Sequence, residues 1–147
     1  MIGRGGLELE LAVSERLDPE VATWMDTTWA AHTRSQYGED LAVEVPFALT
    51  ARRQGEVVGV AEGWVRGSEA YLGDLVVAAD VRGEGVGSHL LAAFAAEARG
   101  RGATALALRT IAGGPAEGFY RDRGFTLAFP LPAWRHGRDF VQLRRAL

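Results

Sequence analysis

Between an apolar run, Leu72 to Ala78, and a helical stretch, His89 to Arg99, the chain places Arg82-Gly83-Glu84-Gly85-Val86-Gly87-Ser88. A strand that delivers glycines into a helix start leaves several backbone N–H groups unpaired, and the helix dipole adds positive potential at the same point. Such a turn can hold phosphate directly on the main chain, because no Cβ keeps the oxygens away from the amides. Arg82 adds a fixed positive charge. A nucleoside triphosphate loop would need a lysine after its last glycine, and the chain has no lysine. The dinucleotide pattern needs Gly-x-Gly-x-x-Gly, whereas these glycines fall at 83, 85 and 87, in mid-chain, with no second strand-helix-strand unit. Taken alone, the segment also fits a tight strand-to-helix turn with no ligand.

A second segment narrows the choice. Val77 to Leu91 resembles the acyl-CoA-binding motif of the GNAT family of N-acetyltransferases, whose core is Arg/Gln-x-x-Gly-x-Gly/Ala. Downstream, Ala116-Glu117-Gly118-Phe119-Tyr120-Arg121-Asp122-Arg123-Gly124-Phe125 is similar to that family's second motif, Ala-x-x-Phe-Tyr-x-x-x-Gly-Phe. The two stand in the family's order, and the resemblance covers about residues 55–147. Gly113 occupies a position where many members carry a cofactor-contacting asparagine. The resemblance implies an α+β fold of three layers, α/β/α, on a mostly antiparallel mixed sheet with a central, splayed parallel strand pair. It also implies acetyl-CoA as co-substrate and no metal.

Composition agrees with one enzyme domain over residues 1–147: 147 residues with 48% hydrophobic content can bury one substantial core but hardly two. The formal charge of −3 comes without a basic block, which argues against a dedicated nucleic-acid binder. With no cysteine, disulfides, thiolate metal sites and a cysteinyl acyl-enzyme are excluded by inventory. No apolar run approaches the length of a membrane span, and Met1 to Gly6 is too short and polar for a secretory signal, so a cytoplasmic protein is expected. All sixteen basic side chains are arginine.

Periodicity supplies the elements. Leu7 to Val13 alternates at the strand period and predicts a first strand. Asp18-Pro19 opens a helix with Val21, Trp24, Met25, Thr28 and His32 on one face, running to Tyr37-Gly38. Pro46 to Arg53, Glu56 to Val65 and Tyr71 to Val77 predict an antiparallel meander. The helix after the glycine loop carries Val86, Leu90, Leu91, Phe94, Ala95 and Ala98 as an apolar stripe, ended by Gly100-Arg101-Gly102. Ala103 to Arg109 follows as a strand, then a short helix Pro115 to Arg123, and a final strand pair, Phe125 to Phe129 and Asp139 to Arg144, turning at His136-Gly137. The crossover from Tyr71 to Arg109 makes its two strands parallel. Tyr37 to Glu44 and Pro130 to His136 are expected as loops that select the substrate.

The resemblance assigns the cofactor to backbone. Leu75, Val76 and Val77 pair with the pantetheine arm; amides of Arg82, Gly83, Glu84, Gly85, Val86, Gly87 and Ser88 meet the diphosphate; Gly113, Phe119 and Tyr120 complete the cofactor set. Direct attack of an amine on a thioester then requires a proton acceptor, oxyanion support and an acid for the thiolate. Tyr120 is the candidate acid, because a phenol titrating near pKa ~10 holds its proton at neutral pH. The Val77 N–H is the candidate oxyanion donor. Members with a base on this strand place it nine or eleven residues before the arginine, at Gly73 and Tyr71 here, neither a natural base. That leaves Glu62, Asp74, His32 or a water chain; strand alternation puts Asp74 on the opposite face from Gly73 and Leu75 unless a bulge intervenes. Trp29, His32, Tyr71 and Trp134, with Tyr37 and Trp64, are candidates for an acceptor pocket. The expected reaction is acetyl transfer to a primary amine of a small molecule or peptide, in a chain able to form a homodimer through its last strands. A noncatalytic acyl-CoA sensor is the alternative.

Overall fold

The computed structural model describes residues 8–38 and 42–147. The chain divides into two compact units, residues 1–41 and 42–147. Met1 to Leu7, the first residue of the expected first strand among them, and Glu39 to Leu41, part of the expected Tyr37 to Glu44 loop, lie outside the described residues.

In the first unit, α1 spans Pro19–Tyr37. Proline at the first helical position is preset for the helix, and Gly38 closes it in the left-handed region at φ 75°, its N–H donating to the Arg34 carbonyl at 2.8 Å. Asp18 occupies the N-cap without a side-chain bond. Glu8 to Val13 is not a strand: it has no regular structure and its side chains are exposed. Alternation permits a strand but does not make one, because a strand is stabilised only by a partner that accepts its hydrogen bonds.

The second unit is a mixed α+β fold. Its strands are β1 (Val45–Arg53), β2 (Glu56–Arg66), β3 (Glu69–Val77), β4 (Ala105–Ile111), β5 (Thr126–Arg135) and β6 (Arg138–Ala146). Its helices are α2 (Val86–Gly100) and α3 (Pro115–Arg121). The sheet runs β1-β2-β3-β4-β6-β5 and is antiparallel except for β3 and β4, as the crossover through α2 requires. The core lies between α2 and the sheet, where Phe94, Phe125, Leu91, Leu106, Leu108 and Leu143 are fully buried. The predicted stripe of α2 is that buried face: Leu90, Leu91, Phe94, Ala95 and Ala98 are all inside. The helix sits close on β2, since a Cβ on Gly59 would stand 2.7 Å from a Leu90 methyl.

β5 runs on to Arg135, so Pro130 to Arg135 is strand where a loop was expected. Its edge position explains this. β5 pairs with β6 alone, so Pro130 and Pro132 need no N–H for a second partner. The ladder shifts between Leu131 and Arg135, where Ala133 takes φ 48° and its N–H donates to Asp139 at 2.8 Å.

Candidate active site

Pairing between β3 and β4 covers only four rungs, Glu69 with Ala105 through Leu72 with Leu108. Both strands continue, to Val77 and Ile111, but no rung joins them beyond Leu108. The parallel pair therefore splays at that point. On its other edge β3 stays paired with β2. Ala78 N–H donates to the Val58 carbonyl at 2.8 Å, so strand alternation sends the main chain of Val76 and Asp74 to β2 and that of Leu75 and Val77 into the gap. Of the three backbone candidates, Leu75 and Val77 thus face the splay and Val76 faces away. The Val77 carbonyl accepts from Arg82 Nε at 3.3 Å, which leaves its N–H toward the gap.

The glycine loop lies beside the same end of β3. Gly83 and Gly85 have φ 83° and 88°, and Gly85 is the N-cap of α2. The first helical bond is His89 N–H to Gly85 carbonyl, so the amides of Val86, Gly87 and Ser88 have no intrahelical acceptor. A cavity of ≈ 360 Å³ opens on them, walled by Val77, Arg82, Phe119 and Arg123. A Cβ on Gly87 would point between Val77 and Phe119, 3.6 Å from each and in ordinary contact with both. Glu84 turns its carboxylate out of this cavity to Arg53, 3.3 Å away.

Arg123 is a site residue that motif reading passed over. Its guanidinium lies 3.7 Å from the Phe119 ring centre, donates to the Phe119 carbonyl at 2.8 Å, and holds Ser88 Oγ through Nε at 3.1 Å and through a second nitrogen. Only folding brings residues 88 and 123 together; in sequence, a second fixed cation four residues after Phe119 was the available signal. Gly113 uses its N–H on Glu117 Oε1 at 3.0 Å. That amide, then Arg121, holds the Glu117 carboxyl below the usual carboxylate range.

Tyr120 lies on α3 within the core cluster, 8% exposed, edge-on to Phe119 and Phe125. Burial pushes its phenol up to about 12, because the phenolate is the form that loses hydration. Its hydroxyl makes no hydrogen bond with the described residues, yet no sealed, unpartnered side-chain oxygen exists among them, so the oxygen remains reachable.

A bulge decides where the carboxylates go. Glu62 pairs with Asp74 but Gly63 pairs with Leu72, so Gly73 is the extra residue on β3. It inverts the alternation: Leu72 is buried toward α2, and Leu75 packs there after it, while Asp74 joins Tyr71 on the opposite face. Glu62 shares that face, directly across from Asp74, and neither has an ion pair or hydrogen bond among the described residues. Two rungs along the ladder Trp64 stacks on its partner Tyr71, with ring centres 5.3 Å apart. A cleft of ≈ 450 Å³ beside the splay is lined by these four with Pro46 and Ala48. Arg109, also absent from the motif reading, stands 6.0 Å from the Tyr71 ring and 4.9 Å from Trp134, so it links Tyr71 to Trp134. Trp29 and His32 belong to α1, their rings edge-on at 5.6 Å.

Among the described residues no group of histidines and acids could hold a metal, and no helix is long and apolar enough to cross a membrane.

The sequence profile described as Acetyltransferase (GNAT) family matches residues 10–125. Among solved structures, the chain is similar to a putative acetyltransferase from Agrobacterium tumefaciens (24% identity, 95% of this chain and 100% of that one, TM-score 0.75). It is also similar to an acetyltransferase from Bacillus cereus (17% identity, 92% and 98%, TM-score 0.74). A third likeness is to the ribosomal-protein-alanine N-acetyltransferase of Brucella melitensis (26% identity, 89% and 80%, TM-score 0.60). No curated protein matches the sequence.

Proposed function

Because the chain belongs to the acetyltransferase (GNAT) family, we propose that it moves an acetyl group from acetyl-CoA to a primary amine by direct attack. The observation that carries this reading is the splay. It leaves the main chain of Leu75 and the N–H of Val77 unpaired beside the free amides at the start of α2.

These groups suit a thioester on a diphosphate arm. The unpaired N–H and carbonyl of Leu75 and the N–H of Val77 match an amide-bearing pantetheine, and the first-turn amides with Arg82 and Arg123 match a diphosphate. A Cβ at residue 87 would stand 3.6 Å from Val77 and Phe119, two walls of that cavity. When bound, acetyl-CoA supplies an acyl group already activated for attack.

The chain's own residues do the rest. Val77 N–H is already oriented toward the gap and supports the carbonyl oxygen without reorganising. Tyr120 keeps its proton throughout the neutral range and gives it to the departing sulfur. Glu62 or Asp74, on the far mouth of the splay, takes a proton from the incoming ammonium. Trp64 and Tyr71 exclude water from one side of the acceptor. The test is an assay of the purified chain with acetyl-CoA and a broad amine panel, read by released thiol and by the mass of the product. Acetylated amine is the expected result; bound acetyl-CoA with no thiol release from any amine would refute transfer.

A further inference from the structure

The acceptor face of the splay is not uniformly acidic. Arg109 follows Leu108, the last residue of β4 paired with β3, as Gly73 and Asp74 follow its partner Leu72, so they begin the two opposite lips of the gap. Its Nε donates to Gln142 Oε1 at 2.9 Å, and its guanidinium carbon lies 6.0 Å from the Tyr71 ring centre and 4.9 Å from that of Trp134. The two terminal nitrogens make no hydrogen bond among the described residues. One lip therefore presents two unpaired carboxylates, Glu62 and Asp74, and the other presents a guanidinium held through Nε with both terminal nitrogens unpartnered.

From this opposition, and resting on the acetyl-transfer reading, we infer that the acceptor is a zwitterion of the α-amino acid class, with an ammonium beside a free carboxylate. A diamine would set its second cation against Arg109, and an anion would meet Glu62 and Asp74. A peptide N-terminus has no carboxylate next to its amine, which leaves those nitrogens unpaired. An α-amino acid lets Arg109 grip the carboxylate bidentately while Asp74 and Glu62 hold the ammonium. Its side chain lies against Pro46, Ala48 and the Trp64 ring, a small and flat apolar wall. In the transfer, the amino nitrogen forms its bond to the acetyl carbon as the carbon–sulfur bond breaks. Of the two ammonium protons lost, one ends on the sulfur and the other reaches solvent through Glu62 or Asp74. The carboxylate is unchanged, so the product is an N-acetyl amino acid that has lost its positive charge and with it the attraction to the acidic lip.

The experiment measures initial rates with acetyl-CoA and the twenty free L-amino acids. For each that reacts, the methyl ester and the decarboxylated amine are compared, alongside short diamines and peptides. The free amino acid is expected to exceed its ester and its decarboxylated amine by about 30-fold or more in kcat/KM, mainly through KM. Arg109→Gln is expected to collapse the acid-to-ester ratio toward one, and Arg109→Lys to restore part of it, with acetyl-CoA affinity by calorimetry as the check on folding. Equal or greater rates for the ester, the diamine or the peptide would overturn the inference and leave acetyl transfer standing. Thiol release from no acceptor would overturn both. Should Arg109→Gln fail to fold, the comparison of acid with ester on the unaltered protein still decides.

Discussion

The carbonyl oxygen of Tyr71 stands where a Cβ on Gly63 would have to be. A methyl there would also approach the Phe94 ring at 2.9 Å, so it would meet backbone on one side and core on the other. This contact is the price of the bulge at Gly73, which rotates Asp74 out to face Glu62. Gly63→Ala must therefore push β3 back or displace α2, and we expect a loss of about 2 kcal/mol or more, measured by urea denaturation. Acetyl transfer should fall by more than the loss of folded protein explains. Unchanged stability would show that the bulge is easily redistributed.

Glu62 and Asp74 offer a test in which stability and activity move oppositely. Like charges directly across a ladder repel, so Glu62→Gln or Asp74→Asn should stabilise the fold by a few tenths to about 1 kcal/mol. Each should lower kcat, and the double variant should lose about 100-fold or more. Full turnover in the double variant would assign the proton to water or another side chain.

Tyr120→Phe should lower kcat by about 100-fold with acetyl-CoA affinity retained. The same phenol makes stability depend on pH. Its folded value of about 12 lies above the ordinary 10, so the folded state keeps a proton that the unfolded chain releases. Its contribution, on the order of 2 kcal/mol, is complete below pH 10 and is lost as pH rises from 10 to 12. Denaturation midpoints at pH 9 and pH 11.5 should separate further in the native chain than in Tyr120→Phe.

Gly87 separates space from charge. A methyl would meet Val77 and Phe119 only at ordinary van der Waals distance, so Gly87→Ala should fold normally. Gly87→Asp should fold as well, since an acid in the first turn of a helix is favoured by its dipole. It should weaken acetyl-CoA binding by about 100-fold or more through repulsion of the diphosphate, as read by calorimetry. Retained affinity in the folded Asp variant would put the diphosphate elsewhere.

Arg123→Ala removes a charge from the same cavity and releases Ser88 Oγ. A rise in Kd for acetyl-CoA of about 10-fold is expected, shrinking at high salt, while S-acetylpantetheine, which lacks the diphosphate, should be unaffected. An equal loss for both ligands would make Arg123 a packing residue only.

Much of this arrangement is legible along the chain. The glycines at 83, 85 and 87 and the stripe from Leu90 to Ala98 report local geometry, in which a backbone angle or a helical period is set by neighbours a few residues away. The same locality misleads at Glu8 to Val13, where alternation without a partner makes no strand, and at Pro130 and Pro132, where an edge tolerates what a central strand would not.

The sequence by itself determined most of the helices and strands of the sheet-bearing unit, the second half of β5 apart, that the turn into α2 leaves amides without helical acceptors, and that no cysteine or lysine takes part. Tertiary structure alone decided that β3 and β4 part after Leu72 and Leu108, that a bulge brings Asp74 round to Glu62, and that Arg109 and Arg123 join the site. The reason is range. Arg123 meets Ser88 across 35 residues and Arg109 meets Gln142 across 33, and such contacts depend on strand order and register, which no single segment encodes.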